Sequence, residues 1–227
     1  MGTTLATDPP TTRVPPTAVT WLRLGACALV VAAVVATFLE AAGRTTVNPF
    51  NLFGYFTVQS NLLLALCYGV VAGAARTGRA PTWAVPARAC VVTYVVVVGL
   101  VYVVLLAPLG AAGGVPVPWA NVVLHVVTPL AGAVDWLAAP DRRRLTGRVV
   151  GLALVYPLVW CGVVLVRGAT DGWVPYPFLD PAQGYATVAG YVAAIAACIA
   201  AVAALVVAGS RLPVVGGRPV DGPPPTA

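Results

Sequence analysis

The chain has 227 residues, of which 59% are apolar and only 9% charged, and its mean hydropathy is +0.90. A soluble domain carries about 25% charged residues, so this composition cannot clothe a water-facing surface and points to lipid as the surrounding medium. The net charge of +6 rests on 13 arginines without a lysine, and there is one histidine, which excludes a lysine Schiff base, a P-loop, a lysine nucleophile and a His-rich metal cage.

Residues 1–18 are rich in Pro and Thr and read as a disordered N-terminal tail. Six apolar stretches follow, at 19–41, 54–75, 85–108, 118–139, 147–168 and 184–209. Each is long enough to cross a bilayer, which needs about 20 residues. In lipid each must be a helix, because no water is present to satisfy open backbone groups. The first stretch is too long for a signal-peptide core and lies behind a polar leader, so it reads as a retained span. The expected fold is therefore all-α, a polytopic membrane protein with one six-helix transmembrane domain over 19–209, followed by a disordered tail over 210–227. The cysteines (Cys27, Cys67, Cys90, Cys161, Cys198) all lie in apolar runs and read as small packing residues.

Arginine placement sets the expected orientation. Eleven arginines fall at the N-terminal end, in the second and fourth loops and at the C-terminal end; only Arg44 and Arg167 fall in the other loops. That bias predicts cytoplasmic termini and a cell-membrane location, and it accounts for the positive charge without nucleic acid. The opposite side then carries a first loop, Arg44 to Phe53, and a fifth loop with Asp171, Trp173, Tyr176, Phe178 and Asp180.

Polar groups at membrane depth are costly, so they mark the places to look for function. The second span carries Thr57, Gln59, Ser60 and Asn61 near its start. Thr57, Asn61 and Tyr68 fall within about 40° of one another on a helical wheel, whereas Gln59 points away toward a different interface. The fourth span gathers Asn121, His125, Thr128 and Asp135 on one face, with Trp119 and Trp136 expected in the two interfacial belts. Asp135 lies too deep to partner His125 and is expected to pair with Arg142–Arg144. Glu40, at the end of the first span, reads as a surface carboxylate.

Depth allows Thr57 to meet His125. A threonine hydroxyl becomes a nucleophile when a base takes its proton, and His125 is the side chain suited to that task near neutrality. Asn61 is the candidate donor to a developing oxyanion. Asn121 is the candidate to orient the imidazole, with Asp180 as its rival. Gln59, Ser60, Tyr68, Thr128, Trp173, Tyr176 and Phe178 are candidate substrate-lining residues. The same pattern also suits polar packing between helices, a non-catalytic lipid- or ligand-binding protein, or a small transporter using Asp135, His125 and Thr57. No cofactor or metal is expected; the expected partner is a membrane lipid or lipid-like substrate, and oligomeric state is left open.

Three segments carry a family resemblance: Phe53-Gly54-Tyr55-Phe56-Thr57-Val58-Gln59-Ser60-Asn61; His125 with Pro129 and Asp135-Trp136; and Trp173-Val174-Pro175-Tyr176-Pro177-Phe178-Leu179-Asp180. Together they resemble the androgen-induced and androgen-dependent TFPI-regulating protein family, especially its bacterial branch, over about residues 20–205. The resemblance implies a multi-span membrane hydrolase with a threonine nucleophile, matched by Thr57, and an intramembrane histidine, matched by His125. It implies fatty acid esters of hydroxy fatty acids as the substrate class.

Overall fold

The computed structural model describes residues 17–44, 46, 48–77, 81–138 and 140–213. The expected tails lie mostly outside the described residues; the first helix begins two residues inside its predicted tail. Six helices are long and apolar enough to cross a membrane: α1 Thr17–Arg44, α2 Phe56–Arg76, α3 Ala84–Gly110, α4 Pro118–Ala138, α5 Arg148–Thr170 and α6 Tyr185–Gly209. A single helical turn, Pro49–Leu52, lies between α1 and α2, and no strand occurs among the described residues.

The Val-rich α3 is apolar on every side and occupies the middle of the bundle. It packs against α2, α4, α5 and α6, while α1 covers α2 and the first half of α4. Of the apolar stretch of α3, 61% is buried, against 22% for α5. Leu152, Val155, Val159, Val163 and Val166 form an exposed stripe along α5. An apolar outer face of this extent is consistent with an integral membrane protein.

Two bundle ends differ in chemistry. At the Arg-rich end, Arg23 of α1 bonds Asp135 at 2.8 Å and Asp141 at 2.7 Å, and Arg88 of α3 bonds Asp141 at 2.8 Å and approaches Asp135 at 3.7 Å. The expected partners of Asp135 were Arg142–Arg144. Instead Arg142 donates to the carbonyls of Trp136, Leu137 and Leu212, and two arginines buried on other helices take the carboxylate. Trp136 is not an interfacial anchor: it is fully buried, donates to the Val206 carbonyl at 2.8 Å and lies beneath the Arg88 guanidinium. Tyr68 also belongs here, under Arg23, so it lines no site shared with Thr57. Trp119 is exposed, as an interfacial residue would be.

At the other end, two helices widen locally. Tyr102–Leu106 in α3 and Val123–Val127 in α4 each form a π turn. Each ends two residues before a proline, Pro108 or Pro129. A proline ring collides with the carbonyl four residues earlier and offers no N–H to it; widening the turn relieves both. Accordingly the Ala107 N–H reaches back five residues to the Tyr102 carbonyl, and the Thr128 N–H to the Val123 carbonyl. Pro157 sits inside α5 without such a turn, so proline permits the widening rather than dictating it.

Candidate active site

Thr57 is the second residue of α2, so its N–H is among the first-turn amides that find no carbonyl within the helix. The amide donates instead to the Tyr176 hydroxyl oxygen at 3.2 Å. The Thr57 Oγ1 lies 3.4 Å from His125 Nε2 and 3.3 Å from the Tyr176 hydroxyl. The first distance is at the long end for a hydrogen bond, as is common before substrate tightens a site.

The remaining contacts fix the direction of this chain. His125 Nδ1 lies 3.1 Å from the backbone carbonyl of Asn121. A carbonyl only accepts, so Nδ1 carries the hydrogen and the neutral ring presents an unprotonated Nε2 to Thr57. Thr57 then donates to His125, which leaves the Tyr176 O–H to donate to Thr57. Tyr102, from the π turn of α3, stacks on the His125 ring with centroids 4.3 Å apart. The Asn121 amide donates to the Tyr102 hydroxyl at 2.6 Å, and its carbonyl oxygen accepts the Val115 N–H at 3.1 Å. Asn121 therefore orients the imidazole through its backbone; its side chain holds the stacked tyrosine.

Several expected roles are corrected. Asn61 is not free to serve an oxyanion, because its amide donates to the Thr57 carbonyl at 2.9 Å and the Leu124 carbonyl at 3.1 Å. The π turn explains this: the Thr128 N–H has gone to Val123, and Asn61 serves the Leu124 carbonyl left behind. Thr128 donates its hydroxyl to the Asn61 side chain and stays buried in the same patch rather than facing substrate. Asp180 is exposed and accepts the Ala182 N–H at 2.9 Å, capping its own loop rather than holding His125. Gln59 bonds Tyr156 and the Phe53 carbonyl on the α5 side. Ser60 is wholly buried with its hydroxyl unpaired among the described residues and lines neither of the cavities that meet at Thr57. Glu40 is indeed a surface carboxylate, paired with Arg44.

The fifth loop is strapped across this end. Arg167 stacks over Trp173 at 4.2 Å and donates to Asn51 at 2.7 Å; Trp173 meets Tyr55 edge-on, and Phe178 stacks on Tyr176. Gly54 lets the strap close, since a Cβ there would stand 2.6 Å from both the Trp173 ring and the Phe50 carbonyl. The strap buries Tyr176 and pushes its hydroxyl pKa up to about 12, so it stays protonated.

Two cavities meet at Thr57. A vestibule of about 310 Å³ contains His125 and opens beside Asn48, Pro116 and Pro177, while an apolar cleft of about 80 Å³ runs between α3, α5 and α6. Thr57, Leu106 and Tyr176 form the wall between them. Tyr102 and the donor role of Tyr176 escaped the sequence reading; the prolines that close the two π turns were the available signal for the first. No protein-family model, curated protein or solved structure matches this chain.

Proposed function

We propose that the chain is an integral membrane protein with both termini cytoplasmic, and that Thr57 and His125 hydrolyse long-chain esters within the opposite leaflet. One observation carries the chemistry: the Asn121 carbonyl holds the hydrogen on His125 Nδ1, so the Nε2 lone pair faces the Thr57 hydroxyl at 3.4 Å. The orientation rests on the eleven arginines of one side against two on the other. The resemblance of the Thr57 and His125 segments to the androgen-induced protein family adds fatty acid esters of hydroxy fatty acids as a substrate class.

In this reading His125 Nε2 takes the Thr57 proton as Oγ1 attacks the ester carbonyl. The Tyr176 hydroxyl turns to the developing oxyanion, a donor already in place and requiring no solvent rearrangement. His125 returns its proton to the leaving alkoxide, giving an alcohol and an acyl-threonine. Water then attacks the acyl carbon with His125 again as base, which releases the acid and restores Thr57.

The test is hydrolysis of a fluorogenic long-chain ester by the purified full-length protein in detergent, together with labelling by a hydroxyl-directed fluorophosphonate. Thr57→Ala and His125→Ala should each lower turnover by about three orders of magnitude or more, and label should map to Thr57. Hydrolysis that survives both substitutions would move the chemistry off these two residues, and no hydrolysis by the wild type would leave a lipid-binding protein.

A further inference from the structure

Resting on the esterase reading, we infer that this site takes a long-chain ester whose alcohol half bears no charge close to the ester bond, which admits a hydroxy fatty acid only where its carboxylate is remote from the hydroxyl. The two cavities differ in the way such a molecule requires. The cleft beyond Thr57 is walled by Val98, Val101, Leu154, Leu158 and Ile195, which suits an acyl chain and little else. Its volume of about 80 Å³ admits only part of such a chain. Leu158, at its edge, is 50% exposed, so a longer chain runs out past it into the surrounding apolar belt. The alcohol half must then occupy the vestibule on the other side of Thr57.

The vestibule sets polar groups into a largely apolar lining, and no described lining residue bears a formal charge. Thr37, Asn48, Asn51 and Tyr55 line it with Thr57, His125 and Tyr176, and no Arg, Asp or Glu is among its described lining residues. The charges at this end are already paired: Glu40 with Arg44, Arg167 with Asp171 while it also donates to Asn51, and Asp180 caps its own loop. An alcohol with hydroxyl groups would find donors and acceptors there. A carboxylate or ammonium near the ester would be desolvated without an opposite charge, a costly arrangement. Selection against charged alcohols therefore follows from what the vestibule lacks, and its size, near 310 Å³, leaves room for a polyol such as glycerol.

The experiment compares three oleoyl esters at equal mole fraction in mixed micelles with the full-length protein. They are monooleoylglycerol, the oleoyl ester of 3-hydroxypropanoate, whose carboxylate must enter the vestibule, and oleoylcholine. The glycerol ester should show a kcat/KM at least about tenfold above either charged ester. Val115→Lys places a cation at the vestibule wall without touching the backbone N–H that Asn121 holds. In protein that elutes as wild type, it should raise the carboxylate ester about fivefold relative to the glycerol ester. A preference of less than tenfold in the wild type, with Thr57→Ala inactive, overturns the inference and leaves the esterase standing. An unchanged ratio in folded Val115→Lys also overturns it. Cleavage of no ester above the Thr57→Ala background overturns the esterase itself.

Discussion

Tyr176 joins two duties at one oxygen: it accepts the orphan N–H of Thr57 and lies beside the hydroxyl that would attack. With its pKa pushed up to about 12 by burial, it is a neutral donor throughout the physiological range. Removing a donor that strengthens only as charge develops lowers kcat with little effect on KM. Tyr176→Phe keeps the ring stacked on Phe178 but leaves the Thr57 N–H unpaired, so kcat for a long-chain ester should fall about 10²- to 10³-fold with KM close to wild type, while the thermal midpoint drops by what a loss of about 1–3 kcal/mol gives. An equal fall in Thr57 labelling would instead show that the tyrosine positions the nucleophile. At this scale the sequence was half legible. Thr57 and His125 could be read because each stood on a polar stripe of an apolar helix, and depth counting put both in the same half of the bilayer and allowed them to meet. Tyr176 could not be assigned its role, because a loop has no periodicity from which to derive direction. Asn61 was assigned the wrong partner because helical geometry gives a face, and two carbonyls on that face outcompeted the expected oxyanion.

The helices themselves were legible to within a few residues, since bilayer length leaves few alternatives for a Val- and Ala-rich stretch. The departures inside them were not. The π turns of α3 and α4 place Tyr102 against His125, and an unbroken 100° wheel contains no such register change. Pro108 and Pro129 mark both turns, but Pro157 shows that the mark is ambiguous. The strap depends on an equally local feature. Gly54 precedes α2, and its missing side chain admits the Trp173 ring and the Phe50 carbonyl. Gly54→Ala must push Trp173 outward, and Tyr176 lies three residues further along the same strap. Overpacking of this kind costs about 1–3 kcal/mol, so the thermal midpoint in detergent should drop. Turnover should drop further than the lost stability explains, because the Tyr176 hydroxyl would no longer meet Thr57. Full activity in Gly54→Ala would show that the strap is not needed to complete the site.

Across the whole molecule, the ion cluster and the candidate site lie at opposite ends of the bundle. The ion cluster joins α1, α3, α4 and the α4–α5 loop through residues more than 100 positions apart, Arg23 with Asp135 and Asp141, which is why no local pattern announced it. The charges balance, two arginines with two aspartates, and they tie three helices together at this end of the bundle. Burial would raise the pKa of Asp141, but Arg23 and Arg88 outweigh it and hold the carboxyl below its ordinary range. A carboxylate lowered in the folded state stabilises the fold at every pH above its unfolded value, and that contribution fades as pH falls through the folded value. The wild type should therefore keep a constant thermal midpoint from neutrality down to the ordinary carboxylate range and lose stability only below it. Asp141→Asn leaves the two arginines sharing one carboxylate, so at neutral pH it should cost about 3–5 kcal/mol and flatten the acid limb that this carboxylate supplies. Hydrolysis per folded molecule should stay at the wild-type level, because the exchange lies at the far end of the bundle from Thr57. Measured unfolding against pH beside turnover of the folded fraction separates the two effects. Loss of turnover in Asp141→Asn at unchanged stability would mean that the two ends are coupled through α4, which carries both Asp135 and His125.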